Sequence, residues 1–305
     1  MNLYNTDSTP APNLTDAASL QRTYRYLRMG IGGTVLLIFV SLAVAMTQVG
    51  VLSSVSAYFY TPARTVFVGA LIAASLGLLA ISGTGVERVL LDVAGLLAPL
   101  IALVPTPLVP ESIPGILIDC GSSESCVPAA YHPDVSNGIT TYLLVSVVII
   151  VAAFFIFRGR NLEFLAVRGS LLGASGLLLA VALCWTLAPD VFMQYAHVSA
   201  AILFFLAIGT VAVAKAFEQH HGARPTRTYQ RLYWIIAAGF LLDAAVAVAV
   251  IYGGWLEAFA VPPVLVCELL ALALFLLYWI LQSFPRWDTM HPQLVFPGSL
   301  AAGST

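Results

Sequence analysis

Residues 138–157 read GITTYLLVSVVIIVAAFFIF, a run without a single charge, bounded by Asp134 on one side and Arg158 on the other. At a helical rise of about 1.5 Å per residue, such a run covers the roughly 30 Å of hydrocarbon in a bilayer. The apolar residues are continuous rather than alternating, so the run reads as a helix in lipid and not as a strand of a β-barrel. Seven further runs pass the same test, at about 27–49, 66–83, 88–105, 166–187, 195–217, 232–252 and 260–282. The one at 88–105 carries Asp92 and Pro99, and the proline-rich stretch 106–114 after it is expected to leave the membrane irregularly.

The rest of the composition agrees. Of 305 residues, 60% are hydrophobic and 9% charged, with a mean hydropathy of +0.93. A soluble domain carries about 25% charged residues. With 13 Lys and Arg against 15 Asp and Glu there is no basic excess to neutralise phosphates, so no nucleic-acid partner is expected. The fold class is therefore all-α: a polytopic integral membrane helical bundle of about eight transmembrane helices.

Orientation follows from the cations, which stay cytoplasmic when loops are short. With the N-terminus inside, twelve of the thirteen fall on the cytoplasmic side: Arg22, Arg25, Arg28, Arg88, Arg158, Arg160, Arg168, Lys215, Arg224, Arg227, Arg231 and Arg286. Only Arg64 lies outside. Dropping one span would invert every later loop and destroy this skew. The chain then divides into a cytoplasmic N-terminal segment at 1–26, an eight-helix domain at 27–282 and a mobile cytoplasmic tail at 283–305. Both termini are inside, and the location is the cell inner (plasma) membrane. The polar N-terminal segment does not have the form of a cleaved signal peptide.

Cys120 and Cys126 fall in the longest outer loop, at about 106–137, and an exported location favours a disulfide between them. No zinc-like spacing surrounds them, and no metal or other cofactor is expected. Cys184 and Cys267 read as small packing residues. The outer segments also carry Glu111, Asp119, Glu124, Asp134, Asp190 and Glu257, an acidic surface.

Ionisable groups inside spans cost about 2.5–3.5 kcal/mol on insertion scales, which makes them candidate sites. Asp243 lies near the midplane of the seventh span, and Glu268 about 12 Å into the eighth from outside. They stand on consecutive antiparallel helices. Two carboxylates meeting in low dielectric hold at least one proton between them, which suits a proton relay or a cation site. Separately protonated acids bonded to Ser, Thr or Tyr are the alternative. Asp92 reads as the helix-end partner of Arg88, four residues away.

The densest outer polar chemistry is Ser53-Ser-Val-Ser-Ala-Tyr-Phe-Tyr-Thr-Pro-Ala-Arg64. Arg64 has the planar donor fork that holds phosphate or carboxylate, and Tyr58 and Tyr60 can orient a headgroup or serve as an aromatic belt. His197, on the outer first turn of the sixth span, lies level with Ser56, Tyr60, Arg64 and Asp190. A Ser-His-Asp set can be written from these, but a triad is defined by geometry. His220 and His221 read as solvated.

The stretch from Ser56 through Arg64, Phe67 and Gly69, then Ala94-Gly95 to Pro105-Thr106, then His197-Val-Ser-Ala-Ala-Ile-Leu-Phe-Phe, resembles a group of uncharacterised bacterial multispanning membrane proteins. More distantly, the Ser…Pro…Phe and His-xxx-Ala-xxx-Phe arrangement is similar to the damage-regulated autophagy modulator superfamily. Ser56 and His197 also invite comparison with the alkaline-ceramidase superfamily, whose Ser, Asp and three His resemble a zinc site. This chain lacks the late His-xxx-His of those hydrolases and has Asp243 and Glu268 there instead.

Taken together, the sequence leads to an outward-facing polar pocket of Ser56, Tyr58, Tyr60, Arg64, Asp190 and His197. Such a pocket would bind a lipid headgroup, a small ligand or a membrane-protein partner, including a second copy of the chain. An intramembrane lipid hydrolase or transferase using His197 is one alternative. A proton-coupled transporter using Asp243 and Glu268 is another.

Overall fold

The computed structural model describes residues 14–81, 83, 85–113, 115–116, 118–159, 161–217, 227–253 and 261–283. Residues 1–13, His220, His221, Glu257 and the expected tail beyond Ser283 lie outside them. The described chain forms eight α-helices: α1 (Leu14–Val49), α2 (Arg64–Ile81), α3 (Gly85–Leu103), α4 (His132–Phe157), α5 (Asn161–Leu187), α6 (Pro189–Phe217), α7 (Arg227–Tyr252) and α8 (Pro263–Ser283). All but α3 are long and apolar enough to cross a membrane. This is a multi-pass membrane protein built as a helical bundle.

Most helices extend beyond the apolar runs that announce them. α1 starts at Leu14, α4 at His132 and α6 at Pro189, so Asp190 sits in the first turn of α6 rather than in a loop. The reason is that apolarity marks the hydrocarbon layer, whereas the backbone ladder continues until something breaks it. Proline in the first turn of α4 and α6 does not break it, because those amides have no acceptor within the helix.

Six helices close a ring in the order α1, α2, α3, α6, α7, α8 and back to α1, while α4 and α5 pack on α3 from outside it. α3 is the centre of this arrangement. It touches α2, α4, α5 and α6, and Leu91, Ala94, Leu97 and Ala98 are fully buried. Its charges gather near one end, where Lys215 at the end of α6 donates to Glu87. That end, with Arg28 also buried, is called the basic end below; the opposite one is the disulfide end. The outward faces of the helices carry the exposed apolar residues, such as Leu36, Val40 and Val44 on α1 and Leu144, Val148 and Ile156 on α4.

Pro99 shows how the central helix tolerates a defect. Without an N–H it cannot bond the Gly95 carbonyl four residues back. The Ser75 hydroxyl of α2 donates to that carbonyl instead, at 2.6 Å. Gly95 makes the approach possible, since a Cβ there would lie 2.8 Å from Leu79 Cγ and 3.3 Å from the Ser75 carbonyl oxygen. Ser75→Ala, which orphans the buried carbonyl, is expected to lower stability by about 1–3 kcal/mol. Pro99→Ala restores the missing N–H, so the Ser75→Ala penalty should shrink in that background. Thermal denaturation of the four proteins in the double-mutant cycle checks this, and a penalty unchanged by Pro99→Ala would contradict it.

Candidate functional site

The link between α1 and α2 is exposed at Val51, Ser53 and Pro62 but buried over most of its length. Residues 52–63 fold into the disulfide end of the ring as a buried turn, Ser56–Tyr60, in which all five residues are buried. Irregular backbone inside a bundle needs partners from the protein itself. The turn supplies many of its own. Tyr58 Oη donates to the Gly50 carbonyl (2.8 Å) and accepts from the Leu52 N–H (3.1 Å). Ser54 Oγ accepts from the Ala57 N–H (2.9 Å), and Thr61 Oγ1 donates to the Tyr58 carbonyl (2.7 Å). Tyr60 Oη donates to the Thr106 carbonyl (2.8 Å); burial, reinforced by neighbouring Tyr131, pushes its ionisation well above the ordinary phenol range.

Ser56, with the backbone of neighbouring Val55, reaches outward to other helices. Its N–H donates to Glu268 Oε2 on α8 at 3.1 Å, and its Oγ lies 2.7 Å from Glu268 Oε1 and 2.8 Å from His197 Nε2 on α6. His197 is fully buried, and its other ring nitrogen, Nδ1, is 2.6 Å from the Val104 carbonyl just beyond α3. A carbonyl can only accept, so Nδ1 carries a proton. Three links, Glu268 to Ser56, Ser56 to His197 and His197 to Val104, then need three hydrogens. The serine and a neutral imidazole bring two. The third can sit on Glu268, whose carboxyl then donates to Oγ and leaves Oγ–H for Nε2, or on His197, with Oγ–H donating to Glu268 Oε1. Both arrangements have zero net charge, and the neutral one avoids separating charge in the bundle interior.

A cavity of about 60 Å³ opens beside this cluster, inside the ring. Glu268 and Ser56 form its polar edge; Thr34 also lines it but turns its hydroxyl back to the Ile31 carbonyl. The rest of the wall is apolar, including Val35, Phe67, Ala70, Ala201, Phe204 and Phe275.

The other residues singled out from the sequence do not join this hydrogen-bond network, although Asp243 lies near enough to Glu268 for their charges to interact. Asp243 is buried on α7 and takes a hydrogen bond from the Cys267 thiol. Cys267 and Glu268 are adjacent on α8 and therefore turn about 100° apart, one toward α7 and one toward the buried turn. The two intramembrane carboxylates thus take separate hydrogen-bond partners. Arg64 sits at the mouth of the bundle, bonded to Asp134 Oδ2 at 2.8 Å and stacked 4.5 Å from the Phe59 ring. Its guanidinium is engaged within the protein, and Asp190 is exposed. Ser56, Tyr58, Tyr60 and His197 are drawn into the bundle instead of facing outward, because the turn that carries them satisfies its polar atoms there. Cys120 and Cys126 form a disulfide, next to the paired backbones of Leu108 and Cys126.

Two participants escaped the sequence reading. The Val104 carbonyl could have been found from Pro105, which ends α3 and leaves orphan carbonyls behind it. Asp134 could have been found as a counter-ion for Arg64, the one cation that the sequence reading sets apart from the rest. Among the described residues, no three His, Cys, Asp or Glu side chains gather as a metal-ligand set. No family model, curated protein or solved structure matches this chain.

The proton count makes a sharp distinction at position 268. Glutamine there offers an N–H to Ser56 Oγ and a carbonyl to the Ser56 N–H, as a neutral carboxyl does. Glu268→Gln is expected to change stability by less than about 1 kcal/mol, and Glu268→Ala to lower it by about 1–3 kcal/mol. Thermal denaturation compares them; glutamine as damaging as alanine would contradict the neutral network.

Proposed function

We propose that this is a protein of the cell inner membrane, with both termini cytoplasmic, that binds a membrane amphiphile within its helical ring. An uncharged, hydrogen-bonding head meets Ser56 and Glu268, and the cavity, at about 60 Å³, takes the first few carbons of the apolar chain. The observation that carries the reading is the cavity itself, a pocket walled by aliphatic and aromatic side chains with a hydroxyl and a carboxyl at one edge. Ligand sites commonly have this form, an apolar lining with a few placed polar groups. The positive-inside skew of the cations supports the orientation, which puts the Ser56 end of the ring outside.

The charges narrow the ligand class. Among the described residues no Lys or Arg lines the cavity, and Arg64 and Lys215 are paired with Asp134 and Glu87. A phosphate group would find no counter-ion beside Ser56, whereas an ester, an alcohol or another neutral head finds both donors and acceptors. This favours neutral single-chain lipids over phospholipid headgroups.

Native mass spectrometry of the full chain tests the reading, with the ether 1-O-oleylglycerol as the neutral probe and ether-linked lyso-phosphatidylglycerol of the same chain length as the anionic one. The delipidated protein should retain one molecule of the neutral ether and prefer it by about tenfold, equivalent to about 1.4 kcal/mol. Ala201→Phe, which fills the cavity from α6, should reduce retention by about tenfold while the melting temperature stays close to wild type. Equal retention of both lipids, or retention untouched in a folded Ala201→Phe protein, would overturn the proposal.

A further inference from the structure

The Ser56 hydroxyl is held by an imidazole, not merely near one. His197 Nδ1 is tied to the Val104 carbonyl at 2.6 Å, so in the neutral network Nε2 keeps its lone pair, and that lone pair faces Ser56 Oγ at 2.8 Å. This is the relation of a general base to its nucleophile, with a backbone carbonyl in the orienting role that a carboxylate plays in a Ser-His-Asp triad. On the other side of Oγ, the Ser56 N–H donates to Glu268 Oε2 and Oγ lies 2.7 Å from Glu268 Oε1; in the neutral network it is the Glu268 carboxyl that donates across that second contact. Both converge on the edge of the apolar cavity. A binding protein needs donors and acceptors at such an edge, but it does not need a serine between a fixed base and an acid.

We propose that Ser56 is an acyl-accepting nucleophile toward long-chain esters, with His197 as its base and Glu268 as the donor to the developing oxyanion. The proposal rests on the binding reading above, because the cavity is what would deliver the chain. In the first step His197 Nε2 takes the Oγ proton, Oγ bonds the ester carbonyl carbon, and the carbonyl π pair moves onto its oxygen. The Glu268 O–H and the Ser56 N–H turn to that oxygen, which is where preorganised donors contribute most. Collapse of the intermediate breaks the bond to the alkoxy oxygen, and His197 returns the proton to it, releasing an alcohol and leaving an ester on Ser56. A water or a second alcohol then gives its proton to His197 and takes the acyl group. Ser56 regains its proton, so no oxidant, reductant or metal enters the balance.

A hexadecyl fluorophosphonate tests this on the full chain in detergent micelles: attack by Oγ on phosphorus expels fluoride and leaves a stable adduct. Intact mass and peptide mapping should find one adduct, on Ser56, with none in Ser56→Ala. His197→Gln should label about a hundredfold more slowly, the scale of general-base assistance. In wild type, p-nitrophenyl dodecanoate should release a burst of about one equivalent of p-nitrophenol, which provides a readout even where a variant fails to fold. No adduct on Ser56 and no burst would overturn the proposal, as would undiminished labelling in a folded His197→Gln protein. If retention of the neutral ether persists without any adduct, only the acyl-transfer step falls; if retention fails as well, the binding reading falls with it.

Discussion

Backbone that is neither helix nor sheet can sit inside an apolar bundle only where the protein itself completes its hydrogen bonds. The buried turn between α1 and α2 meets that requirement through Tyr58, Ser54 and Thr61 within its own segment, and through Ser56 and Tyr60 across to α8, α6 and the α3–α4 connection. Much of the remaining structure depends on this closure. The turn caps the ring at the disulfide end, and the cavity beneath it has a polar edge because Ser56 and Glu268 meet there. The same logic recurs lower in the bundle, where Ser75 completes the carbonyl that Pro99 leaves unbonded. A membrane protein that buries irregular elements has to place a polar side chain opposite each one.

The helical architecture was legible because burial in lipid writes itself into composition. Charged residues bound the apolar runs, and the fold follows the runs even at α3, which carries Glu87, Arg88 and Asp92. What composition does not encode is rotation about each helix axis. Ser56, His197 and Glu268 each drew attention for separate reasons, but Ser56 and Glu268 are 212 residues apart, and their meeting depends on which way α8 turns. One residue earlier on the same helix, Cys267 faces Asp243 instead. A rotation of about 100° would have exchanged the two carboxyl environments. For the same reason composition alone gives the segment rich in Ser and Tyr only as an outward-facing polar pocket, and the hydrogen bonds that bury Ser56, Tyr58 and Tyr60 are not legible in it. The disulfide was easier, since Cys120 and Cys126 are close in the chain and need little from the fold.

Function at this site turns on where one proton lies. With Nδ1 of His197 committed to Val104, the imidazole and the Glu268 carboxyl share a single proton beyond the serine's own, and the cluster is uncharged as a whole. An uncharged cluster at the edge of an apolar cavity suits a neutral amphiphile and gives little to a phosphate. It also leaves a hydroxyl flanked by a base and an acid, an arrangement that reaches beyond binding to the transfer of an acyl group. Arg64, which first suggested a headgroup site, contributes differently: its pairing with Asp134 and its stacking on Phe59 fasten the start of α2 to the start of α4 at the rim.

The most direct measurement is infrared spectroscopy of the protein in membranes near neutral pH, comparing wild type with Glu268→Gln. A protonated carboxyl gives a carbonyl stretch distinct from that of a carboxylate. The wild-type spectrum should contain a protonated-carboxyl band that disappears in Glu268→Gln. If the difference spectrum instead shows loss of carboxylate bands alone, Glu268 is ionised, the neutral Ser56–Glu268–His197 network is wrong, and the neutral-ligand and acyl-transfer readings lose the proton on which they depend.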